Sequence, residues 1–297
     1  MTSLTRPAYA KINLTLDVGA RRPDSYHDIR SVMQTIGLHD TLTVTHTLDV
    51  AGVRLEVTGD EAGGVPADES NLVHRAAVRL QKVAAARGSV PGNQSGLHIL
   101  LHKRIPSQAG LGGGSSDAAT TLRTVNDLLG LALSHGRLTE IGAALGADVP
   151  FFLTGGTALV EGLGERVTAL PPLYPPWYLV IVKPPAGVST AAAYAALDAL
   201  PGRVPGAATE AWLRGERNPA NDFEQVVFPN YPEVAAAHAL LRQTEQIDES
   251  FSPRLCGSGA CVFRRVSTVE EGERLAGEVE AAGVGKVWVT ATQGAAE

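Results

Sequence analysis

Alternating apolar and polar positions predict short β-strands along the whole chain. Runs in which every second residue is apolar are typical of strands with one buried face, and a run that is apolar throughout indicates a strand buried on both faces. The strands predicted in this way are 10–18, 41–47, 53–57, 97–101, a strand pair around 157–160, 177–182, 260–264 and 286–291.

Apolar positions spaced three and four residues apart predict helices between these strands. In residues 71–87 such positions form one helical face, with Ser70 as the expected cap. Thr268 and Glu271 have the spacing of a capping box before another helix. The predicted helices are 71–87, 117–129, 138–145, 189–200, 233–242 and 269–282. The mixture predicts an α+β fold.

Prolines indicate where the chain divides into two domains. Residues 171–185 contain six prolines, and the first four precede an apolar strand. Such a stretch is typical of a linker between domains. We therefore expect an N-terminal domain over 1–170 and a C-terminal domain over 171–297. Residues 88–96 are expected to form a loop, and the stretch 201–219, rich in Gly, Pro and Ala, a mobile surface connection.

Composition narrows the functional classes. The chain has 297 residues and a formal net charge of −6, and no run of Lys or Arg exceeds two residues. A nucleic-acid or anionic-membrane surface needs clustered positive charge, so neither partner is expected. No apolar stretch reaches the roughly 20 residues that cross a bilayer. With no signal peptide recognisable in the first residues, we expect a cytoplasmic protein, as either a monomer or a homodimer.

The two cysteines, Cys256 and Cys261, flank a Gly-Ser-Gly segment. Without neighbouring histidines they do not form a metal site, and a disulfide is rare in the cytosol. We expect buried free thiols.

A glycine-rich run, PSQAGLGGGSSD, carries the clearest chemical signal. Within 110–114 only Leu111 is not glycine, so backbone N–H groups can turn inward and approach phosphate oxygens. Ser115 and Ser116 then open the predicted helix, whose N-terminal N–H groups attract anions. The run lacks the Lys of a Walker A loop and the third Gly of a dinucleotide fingerprint. The alternative is a turn that only joins strand to helix.

Three motifs in order resemble the GHMP kinase superfamily. The loop 106–116 resembles its pattern Pro-x-x-x-Gly-Leu-Gly-Gly/Ser-x-Ser-Ser, AYAKINLTL at 8–16 its N-terminal strand, and LCGSGACVF at 255–263 its C-terminal glycine turn. Residues 11–34, with Lys-x-Asn-Leu followed by Arg-x-Asp-x-Tyr-His, resemble the branch acting on a CDP-linked methylerythritol. Gly-Ala-Asp-Val-Pro at 146–150 and Gly-Val-Ser at 187–189 also match, whereas 199–225 matches poorly.

The resemblance implies a fold and a reaction. The expected fold is a ribosomal-protein-S5-like N-terminal domain followed by a ferredoxin-like C-terminal domain, with the site between them. The expected reaction transfers the γ-phosphoryl group of ATP to a tertiary hydroxyl of the methylerythritol, with Mg²⁺ as cofactor. This is a step of the non-mevalonate isoprenoid pathway.

Lys11 and Asp148 are the catalytic candidates that the resemblance implies. Asp148 would accept the hydroxyl proton, and Lys11 would keep it ionised. We expect Asp148 at the end of a helix, before a turn stiffened by Pro150. Lys11 shares a strand face with Asn13 and needs a nearby carboxylate if it is buried. The alternatives are an Asp making a local turn bond and a Lys on the exposed face of an edge strand.

Binding residues are implied in the same way. Tyr can stack on a cytosine and His can hydrogen-bond to its edge, although a surface loop or a core helix would explain the same residues. The substrate-binding candidates are Asn13, Tyr26, His27 and Tyr194. The ATP-binding candidates are Pro106, Ser107, Gln108, Ala109, Gly110, Leu111, Gly112, Gly113, Gly114, Ser115 and Ser116, with Asn71 and Lys103 in the adenine pocket. A capping Asn and an exposed Lys are the alternatives for the last two. No metal ligand is assigned.

Two rival functions stay open. A GHMP kinase acting on homoserine or mevalonate is not expected to carry the Tyr-His segment after its Lys-x-Asn strand. A sensor that binds a sugar or nucleotide without catalysis is disfavoured because Lys11 and Asp148 are both present.

Overall fold

The computed structural model of the chain describes residues 2–47, 52–87, 96–216, 220–242 and 252–295. The strands are β1 (Thr2–Arg21), β2 (His27–Thr47), β3 (Gly52–Thr58), β4 (Gly96–His102), β5 (Thr157–Gly162), β6 (Arg166–Ala169), β7 (Tyr178–Lys183), β8 (Ala220–Asn221), β9 (Arg254–Leu255), β10 (Val262–Val266) and β11 (Lys286–Ala291). The helices are α1 (Leu72–Ala86), α2 (Gly113–Leu128), α3 (His135–Ala143), α4 (Val149–Thr154), α5 (Thr190–Asp198), α6 (Ala208–Leu213), α7 (Glu224–Asn230), α8 (Pro232–Arg242) and α9 (Val269–Ala282). The predicted α+β class is confirmed.

Two sheets organise the described residues. The first has seven strands, ordered β3-β4-β2-β1-β8, with β5 also paired to β2 and β6 to β5. β2 is long enough to pair with β5 through its first half and with β4 through its second half. The second sheet has four antiparallel strands in the order β11-β7-β10-β9.

Strand β1 has one apolar face, which packs in the core, and one face that carries polar side chains. Ala10, Ile12 and Leu14 are fully buried and pack in one apolar cluster with side chains of β7 and β10. Lys11 and Asn13 alternate with them and so point to the opposite face, as the sequence predicted. The division of the chain at 170/171 stays a prediction.

Three predicted helix boundaries need correction. α1 begins at Leu72 and is capped by Asn71, whose side chain accepts from Val73 N, rather than by Ser70. α2 begins at Gly113, inside the glycine run, because Gly112 takes the left-handed conformation (φ 72°) that turns the chain into the helix. Asp148 does not end a helix, since α3 stops at Ala143 and Asp148 stands at the start of α4.

The stretch predicted as a mobile connection, 201–219, contains helix α6, so that expectation was wrong over 208–213. Trp212 is 1% exposed and contacts Trp177 edge-to-face. The N–H groups of Ala208 and Thr209 donate to the carboxylate of Asp17 on β1. Tertiary contacts therefore stabilise a helix too short to form alone. The predicted loop 88–96 lies, except for Gly96, outside the described residues.

Candidate active site

One cleft collects most of the predicted site residues. It has a volume of about 1540 Å³, which exceeds that of a single drug-sized ligand. Its lining includes Lys11, Asn13, Tyr26, His27, Lys103, residues 106–115, Asp148 and Tyr194. Asn71 and Ser116 do not line it, because their side chains bind backbone. Asn71 donates to Pro66 O as well as capping α1, and the Ser116 hydroxyl donates to Tyr9 O.

The glycine loop is held between β1 and the C-terminal glycine turn. Leu111 O accepts from Lys11 N, and Gln108 O and Ala109 O accept from Ala260 N and Cys261 N. At Gly110 (φ +76°) an added Cβ would lie 1.8 Å from Cys256 O, so only glycine fits this contact. Anchored on both sides, the loop leads directly into the N-terminus of α2, an arrangement that suits phosphate.

Lys103 lies under the start of α2 in a buried cluster of charges. Its Nζ donates to the carboxylates of Asp40 and Asp117, at 2.7 Å for the latter. Asp40 also accepts from Arg104 N and Ile105 N, at 2.5 and 2.9 Å. Burial opposes the charge on Lys103, but the two carboxylates hold its pKa above the usual value. Burial, opposed by Lys103, raises the pKa of Asp117 to about 8.

Lys11 and Asp148 meet beside the loop. Lys11 Nζ donates to Asn13 Oδ1 at 2.7 Å and lies 3.9 Å from Asp148 Oδ2, while Asn13 donates to Ser31 Oγ. Lys11 is buried, and the Asp148 side chain is 28% exposed. Asp148 makes no side-chain capping bond to α4. The local turn bond that would explain Asp148 without catalysis is thus missing from the described residues.

The base-recognition candidates lie at another part of the cleft wall. Tyr26 is 62% exposed and ends the turn between β1 and β2, and His27 is buried as the first residue of β2. Tyr194 on α5 stacks on the His27 ring, with ring centroids 4.9 Å apart. Burial, with a smaller effect of the Asp148 charge, raises the pKa of Tyr194 to about 12. Asp148 is therefore within electrostatic reach of both Lys11 and Tyr194.

Comparison with known proteins gives the family of the chain. Residues 71–156 match the GHMP kinases N terminal domain. A 4-diphosphocytidyl-2-C-methyl-D-erythritol kinase of Moorella thermoacetica is 44% identical, over 94% of this chain and 96% of its own length. The chain belongs to this kinase family.

Solved structures extend the agreement to the fold. A crystal structure of a 4-(cytidine 5'-diphospho)-2C-methyl-D-erythritol kinase superposes with a TM-score of 0.74 at 32% identity, covering 98% of this chain and 100% of that chain. A homoserine kinase from Cytophaga hutchinsonii reaches a TM-score of 0.71, but at 18% identity it shows the shared fold alone. The predicted GHMP kinase fold and the predicted small-molecule kinase class are confirmed.

The cleft of this family member also contains residues that were not among the predicted site residues. Asp198 on α5 bonds His27, Thr190 contacts Ser258 across the cleft wall at 2.9 Å, and Glu165 stands in the β5–β6 turn. Asp198 had a readable signal, since it lies four residues after Tyr194 on a predicted helix. Thr190 and Glu165 had none beyond their closeness to matched motifs, whereas Ser258 lies within the matched C-terminal glycine turn, 255–263, and was expected to support the site.

The predicted free thiols are confirmed, because Cys256 and Cys261 are both buried and unbridged. Among the described residues, no helix has the length and apolarity needed to span a bilayer.

Proposed function

We propose that this chain transfers the γ-phosphoryl group of ATP to the 2-hydroxyl of 4-diphosphocytidyl-2-C-methyl-D-erythritol, in the non-mevalonate isoprenoid pathway. The observation that carries the proposal is one cleft lined by an anion-binding loop, a Lys–Asp pair and a Tyr-His segment. Its volume of about 1540 Å³ suits two nucleotide-bearing ligands together. Family membership supports the same substrate.

ATP binding is assigned to the glycine loop and the start of α2. Backbone N–H groups at a helix N-terminus bind phosphate oxygens without a lysine, and small residues let the phosphates come close. Residues 106–115 line the cleft, and Ser115 adds a hydroxyl there. For Ser116 we propose a supporting role, since its hydroxyl ties α2 to β1. Lys103 forms part of the adenine side, and Asn71 shapes that side by fixing the start of α1.

Transfer is assigned to Asp148 and Lys11. Phosphoryl transfer asks the protein mainly to align the reactants and stabilise charge, with a carboxylate to take the hydroxyl proton. Asp148 has no capping bond that competes for this role. Lys11, held by Asn13, lies 3.9 Å away, so it places a positive charge beside that carboxylate and orients the acceptor hydroxyl.

Recognition of the cytidine is assigned to Tyr26, His27 and Tyr194. Tyr26 presents an exposed aromatic face at the cleft, and an aromatic ring gains by stacking on a base. The imidazole of His27 offers a hydrogen-bonding edge, and Tyr194 holds that ring by stacking on it.

Mg²⁺ is part of the proposal as the partner of the ATP phosphates. The described residues contain no group of three carboxylate, His or Cys ligands, so the ion would be held largely by phosphate oxygens. Oxygen donors that line the cleft, Ser115 and Glu165, fit the preference of Mg²⁺ for oxygen ligands. When bound, the ion neutralises charge on the phosphates. We place the protein in the cytoplasm, which agrees with its unbridged thiols.

The deciding assay is ADP release with the CDP-linked methylerythritol, with mevalonate and homoserine as control acceptors. We expect turnover with the CDP-linked acceptor alone. Turnover with a control acceptor alone would refute the substrate assignment. ATP binding without turnover of any acceptor would favour a sensor.

A further inference from the structure

The imidazole of His27 is held on its edge and on its face by a single helix. Its Nε2 lies 2.7 Å from Oδ1 of Asp198, and its face stacks on Tyr194 with an interplanar angle of 24°. Tyr194 and Asp198 stand four residues apart on α5, so both reach the same neighbour from one helical face. The side chain of His27 is 4% exposed and that of Asp198 is 28% exposed. The position and the rotation of the ring are thus both fixed.

The contact with Asp198 also decides which ring nitrogen carries the proton. An ionised carboxylate only accepts hydrogen bonds, so the nitrogen that faces it must be the donor. A neutral imidazole has one N–H, which leaves Nδ1 with a free lone pair. Among the described residues Nδ1 has no hydrogen-bond partner, although His27 lines the cleft. In its neutral form His27 therefore offers a ligand an acceptor at Nδ1.

Cytosine and uracil differ in the group that would meet this acceptor. Cytosine has an exocyclic amino group, which donates, where uracil has a carbonyl, which accepts. A site built to accept a hydrogen bond rejects a ligand that brings a second acceptor, because both groups then lose their partners.

Resting on the function proposed above, we propose that Asp198 is a positioning residue that sets the base specificity of the cleft. By holding the proton on Nε2 of His27, it makes Nδ1 an acceptor for the exocyclic amino group of a cytidine diphosphate. Asp198 acts only through His27 and does not touch the base. Arg21, whose Nε lies 3.7 Å from the other carboxylate oxygen, keeps Asp198 in place.

The test compares the binding of CDP and UDP to the wild-type protein and to Asp198→Ala by titration calorimetry. We expect the wild type to prefer CDP by about tenfold or more, and the variant to bring the two dissociation constants within about twofold. KM for the CDP-linked substrate should rise about tenfold, while kcat and the KM for ATP stay within about threefold. An unchanged CDP preference in Asp198→Ala would overturn the inference, as would equal weakening of both ligands.

Two further variants separate positioning from general loss of structure. In a His27→Ala background, Asp198→Ala should change the CDP/UDP ratio no further, and an additional loss there would show that Asp198 does not act through His27. Asp127→Ala is the matched control. It removes a carboxylate 2.8 Å from Arg6, half-exposed and not part of the cleft lining, and should leave every constant unchanged.

If Asp198→Ala does not fold, ¹⁵N NMR of the wild-type imidazole gives the same decision. Nε2 should be protonated and Nδ1 unprotonated, and the Nδ1 signal should move on addition of CDP but not of UDP. A protonated Nδ1 in the CDP complex would overturn the inference. A wild-type protein that binds neither nucleotide would instead refute the proposed function.

Discussion

At the residue scale, the two buried carboxylates that bind Lys103 differ in how many hydrogen-bond partners they have. Asp40 accepts two backbone N–H groups besides Lys103, whereas Asp117 binds Lys103 through one oxygen and its buried Oδ1 has no partner among the described residues. Asp40→Asn should therefore destabilise the protein by about 3–5 kcal/mol, because it breaks a fully used buried ion pair. Asp117→Asn should cost far less. Urea unfolding at pH 7 measures both, and equal losses would contradict the assignment.

The same cluster predicts a pH dependence. Burial raises the pKa of Asp117 from 3.8 to about 8 in the folded chain, so between these values the native state holds a proton that the unfolded chain has released. Each rise in pH across that window then favours unfolding. The raised pKa of Lys103 affects stability only above pH 10.5, outside this window. Between pH 5 and 8, the free energy of unfolding should fall more steeply with rising pH in the wild type than in Asp117→Asn. Parallel pH profiles of the two proteins would contradict this prediction.

Asp148 is a further residue whose role can be measured directly. Asp148→Asn should lower kcat by about 10²- to 10⁴-fold, the usual contribution of general base catalysis, with little change in the KM for ATP. Steady-state kinetics with the CDP-linked substrate decides the matter. Near-normal kcat would remove Asp148 from the role of base.

At the element scale, the glycine loop depends on a backbone conformation and a close contact at Gly110 that only glycine accommodates. Its φ is +76°, and an added Cβ would lie 1.8 Å from Cys256 O. Gly110→Ala should therefore raise the dissociation constant of ATP by at least about tenfold, through a displaced loop. Gly277→Ala is the control, since it lies in α9 with open space around the new methyl group and should stabilise the protein slightly. Equal ATP affinity in the two variants would contradict the prediction.

Helix α6 is the element whose existence depends most on distant residues. Trp212 is 1% exposed, whereas the next residue, Leu213, is 39% exposed. Trp212→Ala should lower the free energy of unfolding by about 3–5 kcal/mol, and Leu213→Ala by about 0.5 kcal/mol or less. Denaturant unfolding tests the pair. A small effect at Trp212 would mean that α6 is a loosely attached connection after all.

Features that depend on neighbouring residues could be predicted from the sequence, whereas features held by residues distant in the chain could not. The helix Val269–Ala282 and the strand Lys286–Ala291 were predicted to the residue, because capping and periodicity are local properties. The alternation of Lys11 and Asn13 likewise placed both on the cleft face. Helix α6 was missed because Asp17 and Trp177, both distant in the chain, hold it. Asp198 was missed because its bond to His27 joins residues far apart in the chain, although its spacing from Tyr194 on a predicted helix pointed to a shared helical face.

At the scale of the whole molecule, the site depends on contacts between segments far apart in the chain. Cys256 and Cys261 lie in the apolar cluster that joins β1 to β7 and β10, and Cys256 O packs on Gly110 of the phosphate loop. Any opening that exposes these thiols must therefore separate the loop from the C-terminal glycine turn. Ligand binding to the loop and protection of the thiols should be linked.

Thiol labelling tests that linkage. Burial raises the pKa of Cys256 to about 12 and the pKa of Cys261 well above its usual value, so at pH 8 both are neutral thiols out of contact with water. An aromatic disulfide reagent should label both thiols of the protein unfolded in guanidinium chloride, but it should react slowly with the native chain. ATP at about 100 times its dissociation constant should slow the native reaction by up to about 100-fold, because it binds only the closed form. Rapid labelling of one native thiol, or a rate that ATP leaves unchanged, would mean that the cluster opens without disturbing the nucleotide site.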